Sequence, residues 1–289
     1  MKIGVSFNPG DNGYARFGKE RFLKMAQNGF SAVDYSLGDT NIEEYRLSES
    51  ELEKKMYAIK AEAERANVEI FQVHGPWRWP VQDATPEDRQ ERMEKMKRSI
   101  LATRMLGCKY WVIHPIMPFG TNEIGTENAQ KTWDINLEFM SELVKFAKEQ
   151  DVIICLENMP MRKFSMSPPS QVLKFVKEIN DDHFKICLDT GHVSVNAGTS
   201  ALGDIVRELG NQLKVLHVHD NTGESDAHSW PTKGIIDWPD FLKALKDIGF
   251  EGAFALETSP SQSLNDEDFE AGFIELFNIS KKLLEDAQL

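Results

Sequence analysis

Seven short segments of this 289-residue chain end in metal-binding types of side chain at points where a β-strand should stop: VHGP, VIHP, CLENMP, CLDTGH, LHVHDN, the following DAH, and ALET. Together they carry His74, His114, Glu157, Asp189, His192, His217, Asp226, His228 and Glu257. Taken singly, each has a plainer reading. A histidine before proline, such as His114, packs or caps, and an acidic residue at a strand end, such as Glu157 or Asp189, caps the next helix. His183, in the polar stretch INDDHF, reads as surface. Their coincidence argues for more. Carboxylates and imidazoles gathered at so many strand ends are costly to desolvate without a counter-charge, and a bound cation resolves the repulsion. The expected chemistry is that of a divalent-metal enzyme.

Residues so far apart need a frame that brings them together. Short β-rich runs at 2–7, 32–37, 69–74, 110–114, 152–157, 185–189, 213–219 and 252–257 alternate with helical patterns, and no Ser/Gly-rich linker interrupts them. Gly29, Gly107 and Gly249 each stand just before a strand, where a helix ends in the left-handed conformation. Thr85 and Pro86 read as the N-cap and first turn of a helix carrying Met93, Met96, Ile100 and Met105. The first loop, FNPGDNGYARFG, lacks the GxGxxG spacing of a doubly wound dinucleotide-binding sheet. Eight βα units therefore predict an α/β protein with one domain over residues 1–289, a (β/α)8 TIM barrel whose strand carboxyl ends carry the active site. Strand parity puts Cys155 and Ile153 on the face of Glu157, Cys187 and Lys185 on that of Asp189, and Ala253 and Ala255 beneath Glu257. His217 and His219 share the parity of Val215, and only one of them is expected to hold an ion.

Composition narrows the partners. With 33 basic against 46 acidic residues the net charge is -13, which repels polyanions; no nucleic acid is expected. No window approaches a membrane span or a signal peptide. Three cysteines without CxxC spacing read as buried thiols in a reducing compartment, so a cytoplasmic enzyme is expected. Trp77, Trp79, Trp230 and Trp238 fall in predicted βα loops with Phe119. Aromatic rings pack on the C–H faces of sugars, and Trp77 and Trp79 in HGPWRWP suit such a cleft best; Trp238, beside Pro239, reads better as a loop pin. The ETSPSQS and DNTGES loops are not phosphate cradles, which favours an unphosphorylated sugar or polyol.

The set VHGP, LENMP, LDTGH, HVHDN, GxIDW and LET resembles the xylose-isomerase-like TIM-barrel superfamily, which includes sugar isomerases and epimerases, inosose dehydratases and endonuclease IV. The resemblance spans nearly the whole chain. Its tagatose 3-epimerase branch implies a single divalent ion on Glu157, Asp189, His217 and Glu257, with His217 chosen over His219 because it stands three residues before Asp220. It further implies that Glu157 and Glu257 act as paired acid and base on a ketose through an enediolate. The mixed carboxylate and imidazole donors suit Mn²⁺ or Mg²⁺, with Co²⁺ or Zn²⁺ as alternatives. His74, Trp77, His114, His192, Asp226, His228 and Lys233 are assigned to substrate, with Lys233 or Arg162 neutralising developing charge. Competing readings are a metal-dependent lyase of the inosose dehydratase or glycoside-cleaving type, and an endonuclease IV-like abasic-site nuclease, whose trinuclear zinc site uses all nine positions named first. A non-catalytic sugar-binding barrel is the outsider. Relatives commonly form homo-oligomers.

Overall fold

The computed structural model of the chain describes residues 1–10, 13–77, 83–197 and 201–289. Arg78 and Trp79 lie outside the described residues. Eight strands, β1 (Ile3–Phe7), β2 (Ala32–Ser36), β3 (Glu69–His74), β4 (Tyr110–Ile113), β5 (Ile153–Glu157), β6 (Phe184–Asp189), β7 (Leu213–His217) and β8 (Phe254–Leu256), form one parallel sheet in the order β7-β6-β5-β4-β3-β2-β1-β8. The ring closes through Val218, whose N–H donates to Ala255 O at 2.8 Å while Glu257 N–H donates to its carbonyl at 3.0 Å. This is a single-domain (β/α)8 barrel. Each predicted strand is present, with both ends within two residues of the reading, β7 and β8 being the most shortened. β7 stops at His217 because the backbone of His219 is claimed by Thr190, and Asp220 turns away to pair with Ser229.

Both faces of the strands are buried, which is why they read as nearly continuous apolar runs. Outward residues such as Trp111, Ile113, Ile154, Leu156, Ile186, Leu188 and Leu216 join the main core beneath the helices. Inward residues Val112, Cys155, Cys187 and Val215 form a separate fully buried plug inside the barrel, with Ile153 against it. The predicted parity holds, and all three cysteines are free and buried.

Nine α-helices surround the sheet among the described residues: α1 (Arg21–Gln27), α2 (Glu49–Arg65), α3 (Pro86–Met105), α4 (Glu127–Glu149), α5 (Pro169–Ile179), α6 (Thr190–Ala197), α7 (Leu202–Leu209), α8 (Trp238–Asp247) and α9 (Asp266–Ala287). None of them is long and apolar enough to cross a membrane. Gly29, Gly107 and Gly249 take φ values of 101°, 76° and 64°, so each closes its helix in the left-handed region as its position suggested. α3 begins with Pro86 at N1 and a reciprocal capping box between Thr85 and Asp88. Replacing Thr85 by Ala removes an acceptor from the Asp88 N–H; the urea midpoint should fall by an amount equivalent to about 1 kcal/mol.

Candidate active site at the strand carboxyl ends

Each site residue owes its place to register. Glu157, Asp189 and His217 are the last residues of β5, β6 and β7, and His74 is the last of β3. His114 and Glu257 each stand one step beyond β4 and β8. Asp189 pairs with His217, while Glu157 pairs with Cys187 two residues below Asp189. A stagger of two keeps all of these side chains on the inner face. Asn158 reinforces the rim beyond the ladder, accepting from Asp189 N–H at 2.9 Å and donating to its carbonyl at 3.1 Å.

Donor atoms of Glu157, Asp189, His217 and Glu257 all lie within 4.8 Å of one another. His217 Nδ1 is 3.1 Å from Glu157 Oε1 and 3.2 Å from Glu257 Oε2. Its other nitrogen, Nε2, is 2.9 Å from Asp34 Oδ2. Carboxylates, which accept only, face both ring nitrogens; a cation held between the two glutamates would take the Nδ1 lone pair and leave the ring hydrogen on Nε2, toward Asp34. Glu157 Oε2, Glu257 Oε2 and both ring nitrogens of His217 are buried without a well-directed hydrogen bond. Buried polar atoms rarely stay unpartnered, and this donor set fits a divalent cation. Burial opposes ionisation of Glu157, yet His217 and His114 hold its carboxyl well below the ordinary range. Glu257 is pushed the other way, because burial outweighs its neighbouring imidazoles.

Two further groups flank this one. His74 Nε2 and His114 Nε2 face Glu157 Oε2 at 3.5 and 3.2 Å. On the other side His192 Nε2 and His228 Nε2 face Asp226 Oδ2 at 3.2 and 3.3 Å. His74, His192 and His228 share a posture: Nδ1 donates to a backbone carbonyl, of Gly75 at 2.8 Å, Asn158 at 2.7 Å and Glu257 at 2.7 Å, which turns Nε2 into the mouth. Such second hydrogen bonds fix ring orientation and tautomer. Burial lowers the His114 pKa to about 4, whereas His192 and His228, where Asp189 and Asp226 overcome burial, rise to about 10.

Above the rim lies a cavity of about 420 Å³. Trp77, 43% exposed, stands over it with its ring 5.5 Å from that of His114. Tyr14, Phe7, Met159 and Met161 supply apolar wall, and Ser6, Asn8, Ser36, Ser259 and Gln262 supply hydroxyl and amide groups. Lys233 is exposed and outside this lining. Arg162 is also elsewhere engaged, donating to the carbonyls of Val195 and Gly223, so it straps two loops together. Phe119, Trp230 and Trp238 do not line the cavity.

Sequence reasoning missed Asp34 and passed over His219. Asp34 sits mid-strand in AVDYS, 3% exposed, where Gln72 Nε2 donates to its Oδ2 at 3.2 Å. Alternation would have placed it, since it shares inward parity with Ser36 and Ala32. His219 lies beside Asp189 and Asp226.

A family model described as a xylose isomerase-like TIM barrel matches residues 22–276. The chain belongs to the xylose isomerase-like TIM-barrel family. Among relatives of this family member, a D-psicose 3-epimerase of Enterocloster bolteae is 33% identical over 119 residues, covering 41% of this chain and 37% of that protein. An inosose isomerase of Bacillus licheniformis is 26% identical over 174 residues, 58% of this chain and 60% of that protein. The matched stretches thus span less than two thirds of either curated relative. In structure, a D-tagatose 3-epimerase-like protein superposes with a TM-score of 0.77 at 24% identity, covering 100% of this chain and 98% of that one. Relatives of this barrel therefore include sugar epimerases and isomerases.

The loop bearing Asp226 and His228 hangs from one buried acid. Asp220 Oδ1 accepts from the N–H groups of Asn221 and Ile236, and Oδ2 accepts from Trp238 Nε1 at 3.1 Å. Trp238 pins a loop, as its place beside Pro239 suggested. Exchanging Trp238 for Phe should cost about 1–3 kcal/mol, seen as a lower urea midpoint, and should speed proteolysis between 221 and 236.

Proposed function

We propose that this chain is a divalent-cation-dependent epimerase or isomerase of a small uncharged sugar or polyol. The observation that carries this reading is the approach of Glu157 from β5 and Glu257 from β8 to the same nitrogen of His217, at 3.1 and 3.2 Å, beneath an open cavity. Glu157, Asp189, His217 and Glu257 would hold the cation. When bound, a divalent cation supplies Lewis acidity that polarises a carbonyl and makes the neighbouring C–H acidic. Its oxygen-rich donors suit Mn²⁺ or Mg²⁺.

The residues of the chain do the rest. Glu157 and Glu257, reaching the substrate from opposite sides, each use a carboxylate oxygen to exchange a proton with carbon: one removes it and the other, protonated, returns it. Return to the same carbon on the opposite face gives an epimer; return to the adjacent carbon gives an aldose. Each turnover leaves the two carboxyls with swapped protonation, which solvent resets. His74, His114 and His192 position substrate oxygens, Asp226 and His228 bound the mouth on the β7 side, and Trp77 covers an apolar sugar face. No lysine or arginine is among the described lining residues, which supports a substrate without phosphate.

A second reading has its own observation. The groups His74–His114–Glu157 and His192–Asp226–His228 flank the central one, so all nine residue types of a trinuclear zinc nuclease are gathered at one rim. Metal analysis of the purified protein separates the two: one ion per chain supports the epimerase reading, whereas three zinc ions with incision of abasic DNA support the nuclease.

Two outcomes test the leading reading. With Mn²⁺ present and D₂O as solvent, deuterium should enter the carbon next to the carbonyl of a turned-over ketose, and Glu157→Gln or Glu257→Gln should slow this by roughly 10²–10⁴-fold; no exchange across a broad ketose panel with metal bound would sink it. A cation at a hundredfold excess over its Kd should raise stability by about 2.7 kcal/mol, a gain read by thermal denaturation and absent from His217→Ala.

A further inference from the structure

His217 and His219 stand two residues apart, face the same interior and carry the same ring. The structure gives them opposite surroundings. His217 has Asp34 behind it, and its Nδ1 looks toward the glutamates. His219 Nε2 is 3.1 Å from Asp189 Oδ2 and 3.5 Å from Asp226 Oδ1. The His219 contact to Asp189 is a directed hydrogen bond, which neither nitrogen of His217 makes; a carboxylate only accepts, so Nε2 carries the hydrogen and has no lone pair to offer an ion.

The ring is held from every side. Its backbone N–H donates to Thr190 Oγ1 at 3.1 Å, and the same hydroxyl donates to its carbonyl at 2.7 Å. Gly191 packs against the ring so closely that a Cβ there would overlap it. His228 stacks on the ring with centroids 4.0 Å apart and planes within 10°. Asp189, Thr190 and Gly191 of the DTGH segment thus each touch His219. Asp189 in turn is gripped at both oxygens, since Oδ1 accepts from His192 N–H at 2.6 Å.

We propose that His219 is a positioning residue, a hydrogen-bond donor that fixes the Asp189 carboxylate for the cation without ligating it. This rests on the cation reading above. With one hydrogen bond on each oxygen from the protein side, Asp189 presents its remaining lone pairs in one direction, and Gly191 and Thr190 exist in their present form to admit and anchor the ring. Partners of this kind typically contribute roughly 10- to 100-fold to metal affinity.

Mn²⁺ affinity, measured by competition with a fluorescent chelator on the full chain, tests it through two variants with opposite losses. His219→Phe keeps an aromatic face against His228 but has no donor; His219→Gln keeps an N–H donor but no ring. Weakening of roughly 10- to 100-fold in His219→Phe, with His219→Gln near wild type, is the expected result. Wild-type affinity in His219→Phe, or a loss in His219→Gln as large as in His219→Phe, would overturn the proposal. Circular dichroism checks the fold, and His219→Leu replaces the Phe variant should that ring not be accommodated. Wild type that binds no Mn²⁺, or Asp189→Asn binding as tightly as wild type, would instead remove the cation reading itself.

Discussion

Like charge brought together out of water is the constraint on which this barrel mouth depends. Glu157, Asp189, Asp34 and Glu257 project into a space a few ångströms across, and the first three are at most 4% exposed at the side chain. A fold would not keep so many acids there without positive charge among them. Among the described residues, imidazoles are interleaved with the acids around the rim: His74 and His114 at Glu157, His217 between Glu157 and Glu257, His192 and His219 at Asp189; burial keeps His114 neutral, so the positive charge falls to the other rings and to a cation. The fixed Nδ1–H bonds of His74, His192 and His228 to backbone carbonyls show that ring orientation is settled before any ligand arrives.

Much of this was legible in the sequence because two periodicities carry it. Runs such as IICLE and FKICLD announce strands buried on both faces, and a ligand at the end of each run announces the rim. Cys155 and Cys187 were placed under the carboxylates by alternation alone, and they are there. What escaped was whatever depends on neighbours across the barrel. Asp34 looks like an ordinary polar residue in AVDYS, and only β7, on the far side of the barrel, shows that it faces His217. Parity could not separate His217 from His219, since both point inward; the directed hydrogen bond from His219 to Asp189, which His217 lacks, does. Arg162 resembled a cation for the site, but unpaired carbonyls of Val195 and Gly223 claim it, a demand no linear pattern displays.

The same rim explains how one frame hosts different reactions. Strand ends fix the donors, while the walls above come from loops: the segment after β3 brings Trp77, that after β5 brings Met159 and Met161, and that after β8 brings Ser259 and Gln262. Under the proposed reading, chemistry at the ring and selectivity in the walls are encoded by separate stretches of chain. Asp220 joins them on one side, since it anchors the loop after β7 to the barrel through Trp238.

Beneath the carboxylates, Val112, Cys155, Cys187 and Val215 fill the barrel at 0% exposure, and burial holds both thiols protonated by raising their pKa. This stopper makes the barrel a blind well. Among the described residues the acidic ring is stoppered on the amino-terminal side and opens into the cavity under Trp77, so under the proposed reading a bound sugar would sit across the way by which water reaches it.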